Sequence, residues 1–389
     1  MPPIHVNRRR FLGGAAAAGI ALAHGQPAAA GEAAVVKVAL VGLGNRGTTL
    51  LRALVERPGV EVVALVDTEP RHLQRAAGIV AKHAGGSRPS LYGAADEALG
   101  REDIHAAVVA LPCDLHADVY IQALSANKHL YAEKPLAPTL EGCDRVIAEA
   151  GRRPELAVHV GYQRRSHPRY VEGVALLRRG ELGGLIEARA SWVSSNGPVS
   201  GHGGWLARRE RSGDWMVEQA VHMWDALCWI GGGLPATAYG HGRRDLFAAT
   251  DPGRDVTDHY TAMLTWPGGF RASLVHSWAD PADDAFTGQG LKVVAEGGGL
   301  DLGTGVATSR DRATPRRTIH PGVAADTPLA LDAFLAAVRS PVPLAPPVSL
   351  AEARDATRVG LLVRRAVDER RVVSMDEIVS TAAPVPSPG

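Results

Sequence analysis

The sequence predicts two folded parts: a Rossmann-type, doubly wound parallel sheet, then a domain built on an open, mostly antiparallel sheet. Three observations carry this. The apolar, largely β-branched run from Val35 to Val41 leads directly into Gly42-Leu43-Gly44-Asn45-Arg46-Gly47. Apolar runs and helical stretches then alternate as far as about residue 161. Beyond that point the strand-like segments lengthen, and Pro267-Gly268-Gly269 punctuates two of them. A chain of 389 residues exceeds a single core of ordinary size, so two domains are expected.

The N-terminus reads as an address. Asn7-Arg8-Arg9-Arg10-Phe11-Leu12 precedes an apolar, small-residue run from Gly13 to Ala23, and Ala28-Ala29-Ala30 offers a cleavage site. Residues 1–30 are therefore expected to be a signal peptide, and Arg8-Arg9 with Phe11-Leu12 resembles the twin-arginine type. The apolar run is too short for a lasting membrane anchor. The expectation is recognition of the precursor by export machinery, then a periplasmic or secreted protein that carries its cofactor with it.

Residues 31–158 are expected to form the dinucleotide-binding domain. Val35–Val41 suits a buried parallel strand, and a helix over 48–56 stops at Pro58-Gly59. Gly42 allows the tight turn, Gly44 lets backbone approach a pyrophosphate, and Gly47 lets the helix pack close to the strand. Leu43, Asn45 and Arg46 complete the loop, whose helix N-terminus presents N–H groups to phosphate. A second strand, 61–66, ends at Asp67, 25 residues after Gly42. Its carboxylate suits the ribose hydroxyls of NAD and repels the additional phosphate of NADP. Arg46 and Arg71 lie within reach of such a phosphate and Thr68 leaves it room, so NAD is expected and NADP stays possible.

The alternation continues with strands over 104–110, 129–132 and 157–161 and helices over 116–126 and 139–150. Leu111-Pro112 and Glu133-Lys134-Pro135 fall at C-terminal strand ends, where ligands bind in doubly wound sheets.

Residues 159–378 are expected to form the substrate and oligomerisation domain, with strands over 186–193, 259–266, 270–278 and 291–295. Pro267-Gly268-Gly269 reads as a hairpin turn. Helices over 329–339 and 351–368 are expected on the other side of this sheet, and the Pro/Ser/Ala-rich tail, 379–389, is expected to be disordered. Residues 214–230 read as one helix with Asp214 as N-cap, placing Glu218, His222 and Asp225 on one face. Spacing alone leaves two readings: an imidazole poised by a carboxylate one turn away, or a merely solvated polar face. Arg164, Arg165 and His167 follow the domain crossover, and Gly201-His202-Gly203-Gly204-Trp205 is either a sugar-contacting loop with a stacking ring or a surface excursion.

The order of these motifs resembles the Gfo/Idh/MocA oxidoreductases (the glucose–fructose oxidoreductase and inositol dehydrogenase family). The resemblance rests on Glu133-Lys134-Pro135, Ala110–Val119, Gly161–Arg165 with Pro168, Gly180-Glu181-Leu182-Gly183 and the segment around His222, and spans about residues 35–378. It implies Lys134 beside nicotinamide and substrate, His222 on the catalytic helix with Glu218 near it, and a dimer or tetramer formed through the second sheet. It also implies cofactor contacts from Leu111, Pro112, His116, Glu133 and Gln163, and substrate contacts from Arg164, Trp205 and Asp225. Where the family usually shows Asp-x-Gly-x-His, this chain reads Glu218-Gln219-Ala220-Val221-His222, which puts substrate contact by Glu218 in question.

The expected activity is hydride transfer between a sugar or polyol secondary alcohol and NAD(P). His222 is the expected base and Lys134 the cation at the alkoxide, with their division of labour open. A redox-neutral, NAD-dependent glycoside hydrolase of the same superfamily is the alternative, and a non-catalytic sugar sensor a further one. A net charge of +1 and 21% charged residues give no field for nucleic acid or anionic membrane. Cys113, Cys143 and Cys228 fit neither a disulfide framework nor a metal site.

Overall fold

The computed structural model describes residues 35–83, 88–321 and 325–380. The expected signal peptide lies outside these residues, as does the tail from residue 381.

The first sheet comprises β1 (Val36–Val41), β2 (Val60–Val66), β3 (Ser90–Tyr92), β4 (Ala106–Val109), β5 (His129–Ala132) and β6 (Val158–Val160). All its pairings are parallel, in the order β3-β2-β1-β4-β5-β6. The reversal of strand order between β1 and β4 opens a crevice at their C-terminal ends, the usual ligand position in such sheets. The connections are α1 (Asn45–Val55), α2 (Pro70–His83), α3 (Ala95–Leu99), α4 (His116–Ser125) and α5 (Leu140–Gly151). Thr139 caps α5 by accepting from the Gly142 N–H at 3.1 Å.

Helix α6 (Pro168–Arg178) leads into the second sheet: β7 (Leu185–Val193), β8 (Thr237–Arg243), β9 (His259–Thr265), β10 (Arg271–Ser277), β11 (Gly288–Ala295), β12 (Gly298–Asp301), β13 (Val306–Ser309), β14 (Arg317–Thr318) and β15 (Val373–Ser374). Among the described residues their order is β14-β13-β12-β11-β7-β10-β9-β8-β15. Only β7 and β10 pair in parallel; the other pairings are antiparallel. Pro267-Gly268-Gly269 makes the turn from β9 to β10, as expected. Alternate residues Ala188, Ala262, Leu264, Leu274 and Val293 are buried on one face. On the other, the paired Tyr239 and Met263 are 44% and 51% exposed. Between β7 and β8 lie α7 (Arg209–Ser212), α8 (Trp215–Glu218) and α9 (Val221–Gly231), and α10 (Asp326–Arg339) and α11 (Leu350–Glu369) follow β14.

Two expectations are corrected. Residues 214–230 are not one helix. Asp214 does cap α8, its carboxylate accepting from the Trp215 N–H at 2.7 Å, but the helix breaks at Gln219-Ala220. The Trp215 carbonyl accepts from both the Gln219 and Ala220 N–H groups, at 3.2 and 2.8 Å. The Met216 carbonyl accepts instead from the Trp224 indole at 2.8 Å. The Gln219 side chain accepts from His276 Nε2 on β10 at 2.7 Å. Tertiary hydrogen bonds thus replace one turn of helical ones.

The helix expected over 329–339 does not pack on the second sheet. Ala330, Leu331, Phe334 and Leu335 of α10 join the core of the first domain, with Val36, Leu40, Leu50, Ala106 and Tyr131. The Phe334 ring meets Tyr131 of β5 and His159 of β6 edge-on at 5.7 and 5.6 Å. Only α11 takes the expected place, against β8, α9 and α5. An amphipathic helix covers whichever apolar face lacks cover, and here that face belongs to β1, β4 and β5.

Candidate active site

The crevice is a cavity of about 900 Å³. Its floor at one end is the glycine turn. Gly42 has φ +85°, and a Cβ there would sit 2.2 Å from the Ala110 carbonyl oxygen. At Gly47 a Cβ would sit 1.9 Å from the Gly42 carbonyl oxygen, so only glycine lets α1 approach β1 this closely. At Gly44 a Cβ would meet nothing within 4 Å: it would enter the cavity that Gly44, Asn45 and Arg46 line. Helix α1 starts with no side-chain cap and no acid in its first turn. Its first N–H groups, which lack intrahelical partners, are available to an anion. Asp67 lines the same cavity. Its Oδ2 accepts from the Leu43 N–H and its Oδ1 from the Glu69 N–H, each at 2.8 Å. Bare backbone, an open helix start and a fixed carboxylate fit a dinucleotide's pyrophosphate and ribose.

Leu43 contributes only its N–H to this arrangement, since its side chain is fully buried in the core. His116 is also structural: it is 1% exposed, with Nδ1 2.7 Å from the Pro135 carbonyl and Nε2 2.9 Å from that of Leu111. It ties the Leu111-Pro112 loop, which lines the cavity, to the Glu133-Lys134-Pro135 loop. Arg46 donates from Nε to Glu133 at 2.7 Å and from Nη1 to Thr327 at 3.0 Å. Arg71 is exposed beside Glu69. Glu133, 3% exposed, also accepts from Gln163 at 3.2 Å.

Beyond this turn the cavity wall carries Lys134, Glu218 and His222. Lys134 Nζ donates to the Glu218 carboxylate and to the Glu218 carbonyl, each at 2.6 Å. Burial opposes the Lys134 charge, but the Glu218 carboxylate, Cys113 and Glu133 outweigh it and hold the pKa above the ordinary lysine value. His222 goes the other way. Burial first, then the charges of Lys134, Arg164 and Arg46, push its pKa well below the ordinary value. Its ring stacks on Trp192 and meets Tyr162 edge-on, each at 5.9 Å. At neutral pH the pair is therefore an ammonium and a neutral imidazole.

The carboxylate one turn before His222 thus serves Lys134, because the break at Gln219-Ala220 takes Glu218 and His222 off a common helix face. Asp225, expected at the substrate, is held elsewhere although it shares α9 with His222. It is 2% exposed and outside the cavity, bonded by Arg165 Nε and Nη2 at 3.0 and 2.8 Å. Arg164 stands over the Trp192 ring at 5.2 Å and donates to Gln289 at 2.8 Å, outside the cavity lining. Trp205 does line the cavity, but its loop stands against Glu69 and His72, next to Asp67. Sequence reading missed His72 and Gly93 on the wall, which Thr68, Leu115, Val119 and Arg211 also line. The three cysteines are free thiols. No helix among the described residues is long and apolar enough to cross a membrane.

Comparison with known proteins agrees with this architecture. Residues 36–162 match the model of the oxidoreductase family with an NAD-binding Rossmann fold, GFO_IDH_MocA, and residues 170–301 match the GFO/IDH/MocA C-terminal domain. The two cover about two thirds of the chain, which belongs to the Gfo/Idh/MocA oxidoreductase family. Inositol 2-dehydrogenase of Salmonella typhimurium is 33% identical over 149 residues, 38% of this chain and 43% of that protein. A glycosyl hydrolase family 109 protein of Shewanella woodyi is 29% identical over 165 residues, 41% of this chain and 34% of that protein. The chain thus spans less than half the length of these relatives. Among solved structures, an oxidoreductase domain protein from Kribbella flavida superposes with a TM-score of 0.75 at 19% identity, covering 88% of this chain and 99% of that one.

Proposed function

We propose that the chain is an exported oxidoreductase that transfers a hydride between a secondary alcohol of a sugar or polyol and a tightly held NAD. One observation carries the reading: Lys134 as an ammonium and His222 as a neutral imidazole share the wall of the cavity floored by the glycine turn. When bound, NAD supplies a hydride acceptor at nicotinamide C4. His222, uncharged and facing the cavity, accepts the alcohol proton. Lys134 has three donors and directs two at Glu218, leaving the third for the alcohol oxygen, where it stabilises the developing alkoxide. Glu218 positions that ammonium and keeps it charged. Trp192 and Tyr162 hold the imidazole plane.

Asp67, with Arg46 engaged elsewhere, favours NAD over NADP. The exposed Tyr239 and Met263 on the outer sheet face support a homo-dimer or homo-tetramer. The basic and apolar leader supports twin-arginine export to the periplasm.

The test is absorbance at the reduced-nicotinamide band of the enzyme as purified, without added NAD, when it meets a panel of inositols and aldoses, repeated with Lys134→Ala and His222→Ala. Reduction by wild type and loss in both variants is expected; no reduction with any polyol or sugar overturns the reading. The family 109 relatives favour one second reading, redox-neutral glycoside hydrolysis. Nitrophenol released from aryl glycosides without added NAD would select it.

A further inference from the structure

The loop over residues 200–207 leaves the second domain and reaches the first. Gly201, Gly203 and Gly204 all have positive φ, at +69°, +66° and +72°, which lets it double back tightly. Its base is anchored. The Leu206 N–H donates to the Ser200 carbonyl at 3.0 Å, the Ser200 hydroxyl to Asp251 at 2.7 Å, and the Asp255 N–H to the Ala207 carbonyl at 3.2 Å. Its tip is held lightly. His202 Nε2 lies 3.5 Å from the Glu69 carboxylate, and its ring centroid lies 5.5 Å from that of His72. His72 Nδ1 is in turn 3.2 Å from Asp67 Oδ2. A strap from one domain thus meets, through two imidazoles, the carboxylate that suits the adenosine ribose.

The cavity lining here is largely apolar, with Ala94 and Ala95 at the start of α3, Leu115 and Val119 at the start of α4, and Trp205 of the strap. Small apolar walls and an indole suit a flat purine. We propose that the strap is a clamp on the adenosine half of the dinucleotide, with Trp205 and His202 as cofactor-binding residues, so that NAD leaves only when the strap lifts. This assigns Trp205 to the cofactor and away from the sugar. The inference rests on the dinucleotide reading of the cavity.

The test loads the full-length enzyme with NADH, chases with excess NAD, and follows the loss of bound-NADH fluorescence in wild type, Trp205→Ala, Trp205→Phe and His202→Ala. Release governed by the clamp is expected to be about tenfold faster in Trp205→Ala and severalfold faster in His202→Ala, with Trp205→Phe near wild type. The His202 side chain is 60% exposed, so its removal leaves folding intact even if the indole's does not. NADH release at the wild-type rate in His202→Ala and in folded Trp205→Ala overturns the clamp alone. A wild-type chain that binds no NADH overturns the dinucleotide reading with it.

Discussion

Glu218→Gln isolates what the carboxylate does for Lys134. The structure gives the ammonium two 2.6 Å bonds to this residue, one to its carbonyl and one to its carboxylate. Glutamine keeps the carbonyl and leaves a neutral oxygen near the second position. A hydrogen bond to a charged partner contributes roughly 1 to 1.5 kcal/mol more than one to a neutral partner. Losing that difference at the alkoxide-stabilising cation lowers kcat/KM about fivefold to tenfold. The pH dependence is more diagnostic. Burial opposes the Lys134 charge, and the Glu218 carboxylate is first among the groups that outweigh it. Without that carboxylate the lysine pKa falls, so the alkaline limb of kcat/KM moves to lower pH, while the limb set by His222 stays on the acid side. The assay is kcat/KM for polyol oxidation from about pH 6 to about pH 11. A variant within twofold of wild type, its alkaline limb unmoved, would show that Glu218 neither charges nor positions Lys134.

Three further outcomes are expected. Gly44→Val should abolish NAD binding by calorimetry while leaving the thermal midpoint unchanged, because its side chain meets only the cavity; Gly47→Ala, 1.9 Å from a backbone oxygen, should destabilise the fold. Asp225→Ala takes the buried partner from the Arg165 guanidinium, leaving it the half-exposed Glu352 at 3.1 Å, and should cost about 3 kcal/mol in denaturant unfolding with substrate KM unchanged; a raised KM in a stable variant would return Asp225 to the substrate. Burial pushes the His159 imidazole down to about 4, so the folded protein resists a proton that the unfolded chain takes up near pH 6.5. Stability should therefore fall by on the order of 1.4 kcal/mol per pH unit between those values, and the decline in thermal midpoint should be shallower in His159→Leu.

What the sequence disclosed follows the range of the forces involved. The turn from Gly42 to Gly47 was legible because steric demands within six residues dictate it, and Asp67 because strand length carries β2 to the same crevice. Lys134 was legible from its place at the end of β5. The break at Gln219-Ala220 was not, because neither residue interrupts a helix by itself, and a partner of Gln219 there, His276, lies 57 residues further on. The Arg165–Asp225 pair was hidden for the same reason, its members being 60 residues apart. The strap's glycines announced a tight turn but not the direction of its reach. Periodicity showed that α10 has an apolar stripe, and said nothing of which sheet would receive it.

That helix has a consequence for how the protein is made. The nucleotide-holding unit recruits its closing piece from residues 326–339, after nearly the whole second unit has been synthesised. A nascent chain released just after β6 would leave the seat of Phe334 on Tyr131 and His159 open to water. Translation must therefore be almost finished before the first domain's core is sealed, and a truncated product offers quality control an open apolar surface.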